Sequence, residues 1–512
     1  MSKKIIAYDL GTGGNKASLY DADGVCLAST FQAYETLYPG SGMHEQRPAD
    51  WWSSIVNSTR QLLEETDVDK QEIECLAISG HSLGVVPINK KGELLRDSTP
   101  IWSDSRADAQ AEKYFEKTDE QNWYMTTGNG FPAKLYSVFK ILWYQDKEPD
   151  VFKQIDKVIG TKDYINYKLT GQVKTDFSYA SGCGVYDLKG WGYSPELIQT
   201  SGLENSIFPE IVPSTEIIGE LTQSAAEDLG LPKKVKVACG GVDNSCMALG
   251  ARNIESGRVY LSLGSSAWIA VSAEDPVLDG ISRPFVFTHV IPGMFTSAVS
   301  IFSAGNSFRW LRDHLCQDLV EKANQNNQDV YDLMVQLAEE SPVGANKLLF
   351  NPSLAGGSSQ EPNANIRGAY SGLDLGHSRA DLVRAGMEGI AMNLGSVLMV
   401  LNEFCSLSND MVIVGGGSKS SMWRQIFADV FDMNIVKTNI GEEAGSLGAA
   451  AIAAVGSGIW KDFRKIDEIH QVENIKEPKT ENYEIYKKLK PVYEMLRSSQ
   501  AEIGESLNKI SI

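Results

Sequence analysis

Asp9-Leu-Gly-Thr-Gly-Gly-Asn-Lys16 is the stretch on which the reading of this chain turns. It lies between two short apolar segments, 4–9 and 16–20, so it reads as the tip of a β-hairpin. Asp21-Ala-Asp-Gly24 makes the next turn, and 25–34 a third strand. Glycines at Gly11, Gly13 and Gly14 remove Cβ atoms from the tip. Its N–H groups can then approach an anion and point inward as a nest. Asp9, at the end of its strand, is placed to hold Mg²⁺ through water, because Mg²⁺ dehydrates reluctantly. Lys16 is placed to neutralise phosphate charge. Taken alone, the stretch is an ordinary glycine turn, and D-x-G-T is a weak signal.

Half a chain later the pattern returns. Residues 259–263 and 267–273 read as strands around Leu263-Gly-Ser-Ser-Ala267. Gly264, Ser265 and Ser266 there offer glycine, hydroxyls and backbone donors. Val412-Ile-Val-Gly-Gly-Gly-Ser418 reads as a buried strand opening into glycines before a helix over 421–431, which suits an adenosine site. A strand, a short turn and a strand, met twice at long separation, predict two related lobes rather than a short-period repeat. A nucleotide gripped between two such tips is the logic of the actin-like ATPase fold. G-x-x-x-x-G-K-[ST] does not occur, which excludes a P-loop NTPase.

Elsewhere the pattern is mixed α/β. Residues 48–65 and 155–169 read as helical, 176–190 as a Gly/Ser-rich loop, and Gly240-Gly-Val-Asp-Asn-Ser245 as the entry to a small-residue helix over 247–251. Tyr486, Leu489, Tyr493 and Leu496 share one face of a closing helix, which packs on the second lobe or serves a homodimer. With 512 residues, 42% of them apolar, the chain has room for two or more domains. Lys and Arg number 47 against 66 Asp and Glu, a net charge of −19 that speaks against a nucleic-acid partner. It leaves ATP open, because phosphate sites can be built from backbone N–H groups and a few local cations. Seven scattered cysteines without C-x-x-C, no apolar leader segment and no spanning apolar run predict reduced thiols, a cytoplasmic location and no membrane or zinc partner.

With these sites in view, the chain resembles the FGGY carbohydrate kinases, xylulokinases above all, over about residues 4–460. Asp9-Leu-Gly-Thr12 resembles the first phosphate loop. Glu45-Gln46, Pro48 and Trp51-Trp52 resemble the family's E-Q-x-P-x-x-W-W, and Trp102-Ser-Asp-Ser-Arg106 its W-N-D-x-R. Gly240-Gly-Val-Asp-Asn244 resembles the G-G-x-D-N segment of the catalytic Asp, and Leu263-Gly-Ser-Ser266 the second phosphate loop. Gly305 with Phe308-Arg-Trp310, the stretch Arg367–Leu373 through Glu388-Gly389, and Gly415-Gly-Gly-Ser418 with Trp423, Gln425 and Asp429 resemble the remaining signatures. The resemblance implies two RNase H-like lobes with an interdomain cleft for ATP, Mg²⁺ and a small sugar. The expected division is 1–250 (first phosphate loop, sugar site, catalytic Asp), 251–475 (second phosphate loop, adenosine site) and 476–512 (C-terminal helix).

By the same carry-over, Asp243 is the general base and Asp9 the Mg²⁺-associated carboxylate. Gly11, Thr12, Gly13, Lys16, Gly264, Ser265 and Ser266 surround the phosphates; Gly305, Gly416, Gly417 and Ser421 lie along the nucleotide. His81, Ser82, Leu83, Trp102, Asp104, Asp243 and Asn244 form the sugar side. An Asp with an ordinary pKa near ~4 is charged at neutral pH, so the base role requires no shift. The sugar segment departs from the family. Gly80-His-Ser-Leu-Gly84 stands where xylulokinases read G-Q-M-H-G, so Ser82 and Leu83 replace the sugar-contacting Met-His pair. A ketopentose such as xylulose is the first expectation; hexuloses, aldonates, glycerol- or erythritol-type polyols and an autoinducer-type dione are the alternatives.

Two other readings meet the same residues. Gly80-His-Ser-Leu-Gly84 matches the hydrolase nucleophile elbow G-x-S-x-G around Ser82, but an elbow opens a helix, and Val85-Val-Pro-Ile reads as a strand. An ATP-binding sensor without chemistry would keep the fold, but Asp9, Asp243 and the glycine loops are intact.

Overall fold

The computed structural model describes residues 3–358 and 360–510. Two compact units are present: Met1–Ser256, Ser272–Thr296 and Glu443–His470 form one, and Gly257–Val271, Ser297–Glu442 and Gln471–Ile512 the other.

In the first unit, β1 (Lys4–Leu10), β2 (Gly14–Asp21) and β3 (Cys26–Ala33) form the expected antiparallel meander. β4 (Ile73–Gly80) runs parallel to β1. Beyond it lie β5 (Ile217–Glu220) and β6 (Lys236–Ala238), in the order β5-β6-β4-β1-β2-β3; β6 is parallel to β4, and β5 is antiparallel to β6. A two-residue strand, β7 (Gly241–Val242), pairs with the end of β4. β1 and β4 read as near-continuous apolar runs because both faces are covered. α1 (Pro48–Thr66) starts on a proline, whose fixed φ suits a first turn, and ends at Asp67 in the left-handed region (φ 48°). Its buried stripe, Trp51, Ile55, Ser58, Thr59 and Leu62, repeats at helical spacing and faces the sheet. α2 (Thr161–Thr170) packs on the same core. α3 (Phe177–Ala180) is a single turn capped by Asp176, and α4 (Asp243–Gly250) begins where β7 ends.

The second unit repeats the plan. β8 (Val259–Leu263), β9 (Ala267–Ala273), β10 (Phe295–Ile301), β11 (Asp410–Val414), β12 (Asn434–Thr438) and β13 (Val472–Lys476) lie in the order β10-β9-β8-β11-β12-β13. β9 is antiparallel to β8, β11 is parallel to β8, β12 is parallel to β11, and β13 is antiparallel to β12. That order, and the sense of each of these pairs, matches β3-β2-β1-β4-β6-β5, so both units share an RNase H-like α/β core; the edge strand differs in connection, β5 preceding β6 in the chain and β13 following β12. Its helices include α5 (Gly305–Leu315), the long α6 (Arg379–Phe404), opened by a capping box of Ser378 and Asp381, and α7 (Ser421–Phe431).

α8 (Ala444–Gly456) belongs to the first unit, although it follows the second unit's strands. It crosses α4 at backbone contact. A Cβ on Gly250 would lie 1.8 Å from the Ala444 carbonyl oxygen, and one on Gly448 would lie 1.9 Å from that of Cys246. Only glycine permits that approach. α9 (Thr480–Asn508) returns to the second unit and buries Tyr486, Tyr493 and Leu496, with Leu489 packed beside them. The units are therefore interleaved in the chain, and the consecutive ranges 1–250, 251–475 and 476–512 simplify that division. Two local expectations also change. Residues 155–169 hold a strand, Lys157–Ile159, before α2, with Gly160 between them. Residues 176–190 hold α3 and the first strand of a small hairpin, Tyr186–Asp187 pairing with Gly192–Tyr193, rather than loop throughout. No helix among the described residues is long and apolar enough to cross a membrane.

Candidate active site

β1, β4 and β7 end side by side, with Asp9 opposite Ser79 and Ser79 opposite Gly241. Open α/β sheets bind ligands outside the carboxyl ends of such strands. The Ser79 hydroxyl donates to Asp9 Oδ1 at 3.0 Å. A Cβ on Gly445, at the start of α8, would sit 2.8 Å from Asp9 Oδ2, so the α8 backbone closes against this carboxylate. Burial pushes Asp9 above the usual carboxylate range, opposed by Ser79 and the positive charge of Lys16. Lys16 lies across the hairpin from Asp9, its Nζ 3.8 Å from Glu443 Oε1. The loop itself is tight: Gly11 N–H donates to the Gly14 carbonyl at 3.0 Å, while Gly13 is exposed with open space around it.

Asp243 is the first residue of α4, and its Oδ1 accepts the Asn244 N–H at 2.8 Å. Burial pushes its carboxyl up to about 7, opposed by that N–H and assisted by the negative charge of Asp9. This differs from the ordinary value expected from sequence. The helix-start donor is outweighed by desolvation, which sequence does not reveal.

The residues expected on the sugar side are held by a web of buttresses. Trp102 Nε1–H donates to the Thr12 hydroxyl at 2.8 Å. Gln46 Nε2 donates to the Thr12 carbonyl at 2.7 Å and is itself oriented by the Trp51 indole N–H. Asp104 is fully buried; Arg106 Nε reaches its Oδ1 at 2.9 Å, and Arg106 Nη2 and the His44 N–H each reach Oδ2 at 2.7 Å. Arg106 also pairs with Glu45 at 2.6 Å. Asp104 thus anchors Arg106 and residue 44 within the fold. His81 is buried with its ring edge-on to Trp51, and burial pushes it down to about 4, so it is neutral at pH 7. Its carbonyl accepts from the Thr161 and Tyr179 hydroxyls.

Ser82 and Leu83 are also buried, and Leu83 sits in the left-handed region (φ 59°), a strained setting for a branched side chain. The Leu83 carbonyl accepts from Lys140 Nζ at 3.2 Å, and the same ammonium reaches the Ile101 carbonyl at 2.6 Å. Sequence reading missed Lys140; its one signal is a cation inside the apolar helical run Val-Phe-Lys-Ile-Leu. The hydrolase reading of Ser82 fails, because the chain runs on into the strand Val86–Ile88 and opens no helix there.

In the second unit, the tip of the β8–β9 hairpin meets the start of α5. Gly264 N–H donates to the Ser266 carbonyl at 3.0 Å. The Ala304 and Asn306 N–H groups donate to the Ser265 carbonyl at 3.1 and 2.9 Å, and Gly305 N–H to that of Gly264 at 3.0 Å. A Cβ on Gly305 would stand 2.3 Å from the Gly264 oxygen, so this glycine sets how closely helix and loop approach. A cavity of about 390 Å³ opens here, lined by Gly264, Ser265, Gly305, Gly416 and Gly417 with the aromatic rings of Phe308 and Tyr331. Pockets of that size and mixed lining suit a small ligand. Gly415 adopts φ +88° and lies against the Leu263 carbonyl, which turns the Gly416-Gly417 backbone to the cavity. Ser420 lines the cavity and caps α7 through the Trp423 N–H at 3.2 Å; Ser421, expected in that role, is the exposed residue that follows. Arg309 also lines the cavity, with its guanidinium 3.5 Å from Ser265 Oγ. Its place in Phe308-Arg-Trp310 gives no local signal of that role.

The model of the FGGY family of carbohydrate kinases, N-terminal domain, matches residues 4–250, and that of its C-terminal domain matches 259–457. The chain is 29% identical over 510 residues to a xylulose kinase of Bacillus subtilis (strain 168), covering 99% of each. Among solved structures it is similar to a ligand-bound xylulose kinase from Lactobacillus acidophilus, with TM-score 0.88 and 26% identity over 98% of both chains. It is equally similar to a gluconate kinase from the same organism, with TM-score 0.88 and 26% identity over 98% of this chain and 99% of the other.

Proposed function

Because the chain belongs to the FGGY family of carbohydrate kinases, we propose that it phosphorylates a ketopentose, xylulose first, with Asp243 as the general base. The observation that carries the base assignment is that Asp243 follows β7 while Asp9 and the glycine hairpin stand at the end of β1, both strands pairing with the end of β4, with the negative charge of Asp9 felt at Asp243. Phosphoryl transfer has a loose transition state, so the protein's work is positioning and charge stabilisation. Asp243 orients the sugar hydroxyl and takes its proton as the oxygen's bond to the γ-phosphorus of ATP forms and the γ-phosphorus bond to the departing ADP breaks. Its elevated pKa suits it to accept that proton near neutral pH. The first-loop N–H groups and Lys16 hold phosphate oxygens; the cavity beside Gly305 and Gly416 takes the nucleoside, with Arg309 as a further cation toward phosphate.

We assign Mg²⁺ to Asp9 through water. Among the described residues no three His, Cys, Asp or Glu side chains cluster as a metal cage. A single carboxylate beside a phosphate loop fits an ion that keeps most of its water and takes other oxygens from the nucleotide. When bound, Mg²⁺ supplies neutralisation of phosphate charge. All seven cysteines are free thiols, which suits the reducing cytosol.

Xylulose is favoured by the full-length similarity to xylulose kinases; the gluconate kinase match supports the aldonate as second reading. A panel of ketoses, aldonates and polyols with coupled ADP detection tests both. ADP release that depends on xylulose, and is weak with gluconate, supports the first. Gluconate-dependent turnover alone replaces it with the second, and no sugar-dependent turnover removes both.

A further inference from the structure

Behind the catalytic aspartate lies a buried polar path that the reaction scheme does not use. Val242, the residue before Asp243, donates its N–H to Ser178 Oγ at 3.0 Å. Ser178 Oγ–H in turn donates to Asp176 Oδ2, and the Ser178 N–H reaches the same oxygen at 3.0 Å. Ser214 Oγ donates to that oxygen at 2.8 Å without touching Val242. The other oxygen, Asp176 Oδ1, lies 3.0 Å from Lys162 Nζ, which is also 2.6 Å from Asp163 Oδ1. Asp176, Ser178 and Lys162 are entirely excluded from solvent.

The chemistry of a hydroxyl makes this path directional. Ser178 has one proton, and the carboxylate claims it; the oxygen's lone pairs are then turned to accept the Val242 N–H. The close approach is built in, because a Cβ on Gly241 would stand 3.3 Å from Ser178 Oγ and 2.8 Å from Val290 Cγ1. The peptide that Ser178 grips is the last of β7, and its plane sets the angle at which the chain enters α4 and aims the Asp243 side chain. Errors of about 1 Å in such aim cost on the order of 10²-fold in rate.

We propose that Ser178, oriented by Asp176, is a positioning residue that aims Asp243 at the substrate hydroxyl. The inference rests on the reading of Asp243 as the base. Ser178→Ala and Ser214→Ala each remove one hydrogen bond from the same carboxylate oxygen, but only the first releases Val242. With the full chain and the sugar that the panel identifies, Ser178→Ala is expected to lower kcat by about tenfold or more, with KM for ATP and for sugar within about twofold. Ser214→Ala should stay within about twofold of the parent in all three, and Ser178→Thr, which keeps the hydroxyl, should recover most of the lost kcat. Should Ser178→Ala not fold, Ser178→Cys, with a weak hydrogen-bonding thiol of similar size, takes its place in the comparison. Equal losses in the two Ala variants, or normal kcat in Ser178→Ala, overturn the proposal. Asp243→Asn separates the two layers: turnover in that variant overturns the base assignment, whereas an inert Asp243→Asn beside a normal Ser178→Ala overturns the positioning role alone.

Discussion

The indole N–H of Trp102 donates to the hydroxyl of Thr12 at 2.8 Å. The two residues come from segments that would serve different ligands, Trp102 from the sugar side and Thr12 from the first phosphate loop. One hydrogen bond therefore ties the conformation of the loop to the segment proposed to face the sugar. Trp102→Phe keeps the ring and removes the donor, while Gln46 still holds the Thr12 carbonyl. The expected result is a rise in KM for ATP or a fall in kcat of roughly 2–10-fold, the worth of one such bond. Steady-state kinetics with ATP varied at saturating sugar measures it, and unchanged constants would show that the loop is held without Trp102.

Asp243→Asn should keep the fold and ATP binding and lose about 10²–10⁴-fold in kcat, the usual contribution of a positioned general base. ATP binding followed by calorimetry separates lost chemistry from lost structure.

The acid limb of kcat/KM for the parent enzyme should fall near pH 7, with rate rising as Asp243 ionises. The same group bears on stability with a definite sign. Its folded value of about 7 lies above the ordinary 3.8, so between those values the fold holds a proton that the unfolded chain releases. The associated stability is fully present below the unfolded pKa and is lost as pH rises through about 7. Asp243→Asn lacks this loss. Its Tm relative to the parent should therefore be higher at about pH 8 than at about pH 4, and a difference independent of pH would contradict the elevated pKa.

Gly305→Ala places a methyl group 2.3 Å from the Gly264 carbonyl oxygen, where backbone meets backbone and neither side can turn away. A loss of about 1–3 kcal/mol in stability is expected, as for other overpacked sites. KM for ATP should rise while KM for sugar stays put. A variant with parental Tm and ATP affinity would mean that the tip of the β8–β9 hairpin yields freely.

Lys140→Met removes the ammonium that spans the Leu83 and Ile101 carbonyls. Leaving those acceptors buried costs about 1–3 kcal/mol and releases the left-handed residue 83, so KM for sugar should rise more than KM for ATP. Burial depresses Lys140 from 10.5 to about 7; across that window the unfolded chain binds a proton that the fold does not, and stability rises with pH. Thermal melts between pH 7 and 10 should show this rise in the parent and its absence in Lys140→Met.

The parts of the molecule that were legible in the sequence are those whose cause is local. Glycine at Gly11 and Gly264 announces a tight tip because the turn itself needs it, and Gly240-Gly-Val-Asp243 announces a strand passing into a helix. Periodicity found α1 and α9 for the same reason. What stayed hidden depends on partners far away in the chain. α3 is one turn long, too short to show a period, and its importance lies in what Ser178 meets at Val242. Lys140 looks misplaced in an apolar helix until Leu83 and Ile101 supply their carbonyls. Asp104 also holds Arg106 and the residue 44 N–H, partners that no local pattern announces, and the exchange of Ser421 for Ser420 turns on one residue of helix phase. The elevated pKa of Asp243 likewise needs its surroundings, since the helix start alone argues for a lower one.

The return of α8 to the first unit also governs when this protein can fold. A nascent chain that has emerged as far as Gly250 possesses every strand of the first sheet but not the helix that seats against β1, β4 and α4. Ribosomes must translate some two hundred further residues, the bulk of the second unit among them, before Gly448 can dock on Cys246. The first unit cannot mature as an independent module during synthesis, and a gene interrupted between the two sheets would yield an N-terminal fragment with an open apolar flank in place of a free-standing half enzyme.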